Sequence, residues 1–265
     1  MPELVDAGSA LALAARAART AGELLHGARP HEIRGKSNPR DLVTEWDLRS
    51  EQAIRAVLAE SGFPVLGEEG GETAGTDARM RWLVDPIDGT VNFAHGLPIW
   101  SISIALEEVS AGVVIGVVYA PVLGWWYEAS RGGGARDGSG TALHVSTRAT
   151  LDEAMLATGF PYDRATNPDN NFAAWDHFQR LAGSCRRLGC ASIDLCLVAQ
   201  GIYDGYWESR LQPWDLAAGA LIVAEAGGRV TDTRGQPFDP HSGEAVATNG
   251  AIHGVLVTEL ARVRS

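Results

Sequence analysis

The sequence predicts a layered α+β protein, and three observations carry that prediction. Residues 82 to about 127 read as successive short strands separated by turns, the pattern of an antiparallel sheet. Beyond residue 150, strand-like and helix-like segments alternate, as in α/β architectures. Residues 3–61 instead carry two stretches with apolar side chains at helical spacing. At 265 residues there is room for one large domain or two small ones, either able to bury a substantial core. No internal repeat and no clear linker interrupts the chain. A single domain over 1–265 is expected, with lobes at about 1–145 and 146–265 and a site between them.

Taken in order, residues 3–28 are alanine-rich, with Arg, Glu and His set among apolar positions at helical spacing, and Gly27 and Pro30 end the helix. A polar loop follows, Arg34-Gly35-Lys36-Ser37-Asn38-Pro39-Arg40-Asp41. A second helix is expected from near Thr44 to about Ser61, with Trp46, Ile54, Val57 and Leu58 on one face; Asp41 is its candidate cap. Val65-Leu66 makes a short strand leading into Gly67-Glu68-Glu69-Gly70-Gly71, and a loop runs on to Arg81. The run from Trp82 is a strand. Residues 101–106 alternate with period two, and further strands are expected at 112–119 and 124–129. Gly132-Gly133-Gly134 and Asp137-Gly138-Ser139-Gly140 read as hairpin turns, since they lack the spacing and Lys-Ser/Thr of a Walker loop. Later come a strand at 154–158, helices at 170–181 and 193–200, and a helix at 214–226 ended by Gly227-Gly228. Strands at 228–231 and 245–248 and a closing helix at 251–263 complete the chain.

A hydrophobic content of 45% and a charged content of 21% are ordinary for a soluble globular protein. The formal net charge of −11 argues against a general nucleic-acid binder, whose footprint is a basic patch. It does not exclude a phosphorylated substrate, because bound metal ions reverse the local sign. Cys185, Cys190 and Cys196 match no zinc spacing, and their odd number fits a reducing compartment. The N-terminus lacks the basic-then-apolar design of a signal peptide. The longest apolar run, residues 111–120, is too short to span a bilayer. A cytoplasmic protein without membrane contact is the expectation.

The most informative stretch is Trp82-Leu83-Val84-Asp85-Pro86-Ile87-Asp88-Gly89-Thr90. It reads as a strand delivering two carboxylates to its C-terminal end, with Pro86 stiffening the exit and Gly89 freeing the turn. Asp85 and Asp88 are close enough to repel unless something positive stands between them. A hard divalent cation such as Mg²⁺ suits them, since it takes oxygen ligands and keeps water for substrate phosphate. Gly89-Thr90 offers backbone N–H groups where a helix can begin, an anion cradle. The plain alternative is two aspartates capping a turn. Glu68 and Glu69 sit in a glycine-bracketed turn that either aims a carboxylate or is merely solvated. Asp215 opens a helix and is either its cap or a metal ligand. Asp47 is either a first-turn acid or, hydrogen-bonded to a Thr hydroxyl, part of a relay that deprotonates water. Lys36 is near a phosphate or simply on the surface. Together the pieces supply what a metal-dependent phosphatase needs.

These residues also carry a resemblance. Residues 82–90 continuing through Val91-Asn92-Phe93-Ala94-His95-Gly96-Leu97-Pro98 resemble the first signature of the inositol monophosphatase family. Trp214-Asp215-Leu216-Ala217-Ala218-Gly219-Ala220 through Glu225-Ala226-Gly227-Gly228 resembles its second. Gly67-Glu68-Glu69, Lys36-Ser37 and Asp41 to Asp47 match the family in order and spacing. The resemblance implies a layered α/β/α/β/α sandwich, a homodimer, and two or three Mg²⁺ ions, with Mn²⁺ able to substitute and lithium inhibiting. It implies that Glu68, Asp85 and the Ile87 carbonyl hold one ion. Asp85 would bridge to a second held by Asp88 and Asp215, and Glu68 would hold a third, weaker one. Thr90 and Asp47 would activate a water that attacks phosphorus in line, without a phosphoenzyme. Gly89 and Thr90 N–H groups would hold the phosphate.

For the alcohol half, the resemblance points to Asp88, Gly189, Cys190, Ala191 and Glu208. Glu208 stands seven residues before Asp215, the spacing of enzymes acting on inositol monophosphates. Cys190-Ala191-Ser192 departs from the Thr/Ser-Ala-Ala pattern common there. Cys190 is not expected to be a nucleophile, because apolar neighbours would not lower its pKa. Inositol 1-phosphate is the first expectation and histidinol phosphate the alternative. Fructose bisphosphate and adenosine bisphosphate rank lower, because the short loop at 70–81 leaves little room for an extra recognition element. A different class, a regulator that keeps the fold and binds RNA polymerase, is opposed by the intact ligand positions.

Overall fold

The computed structural model describes residues 6–36 and 38–264. Helix α1 (Ala7–Leu25) starts at Asp6, whose carboxylate accepts from the amides of Gly8 and Ser9, and residues 3–5 of the expected helix lie outside the described residues. Its buried face is mostly alanine, which lets the helix lie close to a sheet. The expected polar loop, described except for Ser37, contains a small hairpin of β1 (Ile33–Gly35) and β2 (Leu42–Thr44). Each strand is three residues long and β1 is exposed throughout, so the pair carries no hydrophobic period. Helix α2 (Glu45–Leu58) is capped by Thr44 and not by Asp41. The Thr44 hydroxyl and the Asp47 carboxylate make reciprocal bonds there, a capping box.

The remaining elements follow the expected order with shifted ends. They are β3 (Val65–Gly67), β4 (Gly71–Glu72), β5 (Met80–Asp88), α3 (Thr90–His95), β6 (Ser101–Glu108), β7 (Gly112–Ala120), β8 (Trp125–Ser130) and β9 (Gly134–Asp137). After these come β10 (Met155–Thr158), α4 (Phe172–Leu181), β11 (Ser184–Arg186), α5 (Ala191–Ala199), β12 (Gly205–Ser209) and α6 (Pro213–Glu225). Strands β13 (Arg229–Thr231) and β14 (Glu244–Thr248) lead to the closing helix α7 (His253–Arg264). Strands β4, β9, β11 and β12 are additions to the expectation. β12 is buried at every position, so it lacks the alternation that marks a one-sided strand.

A seven-stranded sheet in the order β4-β3-β5-β6-β7-β8-β9 and a five-stranded sheet in the order β11-β10-β12-β14-β13 form two of five layers. Helices α1 and α2 cover one face of the larger sheet, and α5 and α6 lie between the two sheets. Helices α4 and α7 cover the outer face of the smaller sheet. The α/β/α/β/α expectation is met. Its central layer explains why α5 and α6 are apolar nearly all round: a helix between two sheets has no face left for water. The core of this layer is built from Ile193, Leu195, Leu216 and Ile222 with Leu83, Val118, Tyr206 and Ala247 of the two sheets.

Candidate active site

Strand β5 brings both aspartates to one side by a bulge. Three residues apart on a regular strand, Asp85 and Asp88 would point to opposite faces. Asp85 pairs with Ser103 and Asp88 with Ser101, so the two carboxylates face partners only two residues apart. The extra residue falls at Pro86-Ile87, where Pro86 has no N–H to offer the ladder. Gly89 then turns the chain at φ 90°, and an added Cβ there would meet the carbonyl oxygens of Ile99 and Gly189 at 3.1 and 3.2 Å. Glycine is required on both grounds.

The bulge opens into a cavity of about 290 Å³. Lys36, Asp41, Glu68, Asp85, Ile87, Asp88, Gly89, Thr90 and Asp215 line it, with Gly189, Cys190, Ala191 and Glu208. Of the residues singled out from sequence, Asp47 and Glu69 are absent from the lining, and Asp47 reaches the site through Thr90. Thr90 Oγ1 lies 3.0 Å from Asp47 Oδ1 and 3.0 Å from the Ile87 carbonyl, while Asp47 Oδ2 accepts from the Thr44 amide and hydroxyl. Burial pushes the Asp47 proton affinity up, against the hydrogen bonds from Thr44 and Thr90.

Asp215 is the third residue of α6, not its cap; its Oδ2 accepts from the Gln212 amide at 2.7 Å. Asp85 Oδ1 accepts from the Ile87 amide at 2.9 Å. Asp85 stands within hydrogen-bond reach of both Asp215 and Glu68. Burial first, then repulsion from Glu68, Asp88 and Asp215, raises Asp85 well above the ordinary carboxylate range. Asp215 is raised by burial and by Asp88 and Glu68. Like charges this close hold a shared proton or a cation between them.

Lys36 reaches over from the β1–β2 hairpin, 2.8 Å from Glu68 Oε1 and 2.5 Å from Glu69 Oε1. Burial works against its charge, but the two carboxylates outweigh it and hold the ammonium above its ordinary range. The turn that aims Glu68 is itself fixed by Glu51, which is buried on α2. Glu51 accepts from the Glu69 and Gly70 amides at 2.7 and 2.8 Å and pairs with Arg55. Nothing in the sequence marks Glu51 out, because its role exists only once α2 packs beside β3.

Asn92 is a second supporting residue. Its Nδ2 bonds the carbonyls of Ile99 and Leu188 at 2.7 and 2.9 Å, tying α3 to the 188–190 segment. Cys190 starts α5 with polar neighbours: its Sγ lies 3.1 Å from Asp88 Oδ2 and 3.3 Å from Ser101 Oγ. That corrects the apolar surroundings expected from sequence. The thiol is still held well above its ordinary range, by burial and by the negative Asp88. Glu208, on β12, accepts from the Tyr206 hydroxyl at 2.7 Å, and burial pushes it up to about 7.

The donor set at the bulge is oxygen only: Asp85, Asp88, Asp215, Glu68 and the Ile87 carbonyl. It fits a hard divalent cation and not a soft one. Among the described residues, no three His, Cys, Asp or Glu side chains form a finished ligand set round one point. The fit rests on the buried acids and their mutual repulsion. No described helix is long and apolar enough to cross a membrane.

A five-layer sandwich, clustered acids, a hydrogen-bonded Asp47–Thr90 pair and a small cavity agree with the class that the relatives define, the phosphoric monoester hydrolases. The model of the inositol monophosphatase family matches residues 7–265, and the chain belongs to that family. It is 40% identical over 234 residues to an inositol-1-monophosphatase of Synechocystis sp., covering 87% of this chain and 80% of the relative. It is 42% identical over 261 residues to the Nus factor SuhB of Pseudomonas aeruginosa, covering 94% and 95%. The solved inositol monophosphatase of Anabaena (Nostoc) sp. superposes with a TM-score of 0.88 at 35% identity, covering 97% of this chain and 96% of that one.

Proposed function

We propose that this chain hydrolyses a small polyol phosphate, inositol 1-phosphate first, with Mg²⁺ as cofactor. The observation that carries the reading is the meeting of four acids, Asp85 and Asp88 buried and Glu68 and Asp215 half-buried, with the Asp47–Thr90 pair and Glu208 around one cavity. Asp85, Asp88, Asp215, Glu68 and the Ile87 carbonyl would hold the cations. When bound, these would neutralise the phosphoryl oxygens and the charge developing on the leaving oxygen. The chain's own residues account for the rest. Thr90 Oγ1 accepts a proton from water as its own proton passes to Asp47 Oδ1, whose affinity burial has raised. The oxygen so freed forms a bond to phosphorus as the bond to the alcohol oxygen breaks, and that oxygen takes a proton from solvent to leave as the alcohol. The amides of Gly89 and Thr90 orient the phosphate. Nothing covalent passes through the protein.

Glu208 supports a neutral polyol. Held near 7, it both donates to and accepts from a hydroxyl at neutral pH, whereas the ammonium of histidinol phosphate calls for a full carboxylate. The test is kcat/KM for inositol 1-phosphate and histidinol phosphate side by side at saturating Mg²⁺. A higher value for the inositol ester is expected, and preference for histidinol phosphate would overturn this choice. A homodimer belongs to the same reading, and sedimentation velocity checks it. A regulatory reading has the Pseudomonas relative's name behind it. Under it, phosphate release would be absent while binding to a transcription complex persisted.

A further inference from the structure

Asp88 leaves β5 with its carboxylate enclosed by the start of α5. Its Oδ2 accepts from the Ser192 amide at 2.7 Å and the Ser192 hydroxyl at 2.5 Å, with Cys190 Sγ 3.1 Å away. Ser192 Oγ is in turn 2.6 Å from Ser101 Oγ on β6. Both serines are fully buried, so water does not compete for them. The proton count gives the chain a direction. An ionised carboxylate only accepts, so Ser192 donates to it and Ser101 donates to Ser192. Among the described residues, Oδ1, by contrast, meets only the Ala191 amide, at 3.3 Å.

We infer that Ser192 is a positioning residue of the catalytic site, holding Asp88 through Oδ2 and leaving Oδ1 as the oxygen that meets a divalent cation. This rests on the reading of Asp88 as a cation ligand and adds what aims it. It also gives a meaning to Cys190-Ala191-Ser192, the segment that departs from the Thr/Ser-Ala-Ala pattern. A thiol is a weak donor. Where the pattern has a hydroxyl, this chain has Cys190, and two residues later Ser192 brings a hydroxyl to the same Asp88 oxygen. Three donors on one oxygen fix the carboxylate's rotation, and partners of this kind set the orientation of a metal ligand. Ser101 extends the hold to β6, so Asp88 is tied at once to its own sheet and to the central helical layer.

Calorimetric titration of Mg²⁺ into the full chain, without substrate, tests the inference. Ser192→Ala is expected to weaken Mg²⁺ binding about tenfold, at the low end of what loss of such partners costs. Cys190→Ser combined with Ser192→Ala returns a hydroxyl from the neighbouring position and is expected to recover most of the loss. Thermal melting of each variant accompanies the titration, since a merely structural serine would lower Tm and leave the affinity where it was. Asp88→Asn separates the two possible failures. If it binds Mg²⁺ like the parent, Asp88 is not a ligand and the inference falls with that reading. If it loses binding while Ser192→Ala keeps it, or if the double variant is no better than Ser192→Ala, the positioning role alone is overturned.

Discussion

Asp47 and Asp215 occupy the third position of their helices, and each turns one carboxylate oxygen back to the residue that begins the helix. The second oxygen of Asp47 meets Thr90, and Asp215 faces Asp85. Asp85 and Asp88 follow the same rule with the Ile87 amide and with Ser192. The choice posed by the sequence, cap or functional acid, is not exclusive for these residues, because one oxygen of each carboxylate is held locally and the other faces the site. Glu208 differs in lying on a strand, where its carboxylate caps nothing and accepts from the Tyr206 hydroxyl. Its folded value of about 7 lies above the ordinary 4.5, so the folded state holds a proton that the unfolded chain releases. Stability from this group is present below pH 4.5 and is lost as pH rises through about 7. That rise is worth about 3 kcal/mol at most. Glu208→Gln is expected to flatten the fall in stability between about pH 5 and pH 8. Urea midpoints for parent and variant at both pH values check it, and parallel curves would contradict it.

Between elements, the site depends on how closely α6 approaches the larger sheet. Gly116 on β7 faces Ala218, and a Cβ at 116 would sit 2.8 Å from the Ala218 carbonyl oxygen. Gly116→Ala is expected to cost about 1 to 3 kcal/mol by forcing α6 outward. Because α6 carries Asp215, the same change should weaken Mg²⁺-dependent phosphate release. A stability loss with unchanged release would mean that Asp215 does not depend on this contact. The legibility of elements followed burial. Strands β6 and β7 and the helices could be read because turns bracket them. β12, buried on both faces, could not, although Glu208 on it had been singled out by its distance from Asp215. The β1–β2 hairpin escaped because three-residue strands, one of them exposed throughout, are too short to leave a periodic trace.

Across the whole molecule, the two sheets and the helices between them bring β5, α5, α6 and the β1–β2 hairpin to one cavity. A net charge of −11 and the burial of Asp85 and Asp88 beside Asp215 point the same way: the site is built for positive charge to enter. Glu68, Asp85 and Asp88 were legible because each lies beside Gly or Pro in a short motif, and Asp215 because it follows Pro213-Trp214 at a helix start. Glu51, Asn92 and Ser192 were not, because each acts through a tertiary hydrogen bond to a segment at least seven residues away. The central claim, that Asp85 anchors a magnesium-dependent phosphatase site, is tested most directly by phosphate release from inositol 1-phosphate with Asp85→Asn. Release by the parent is expected to stop with EDTA and return with Mg²⁺, while the folded variant gives none at any Mg²⁺ concentration. Undiminished release by Asp85→Asn would contradict the account.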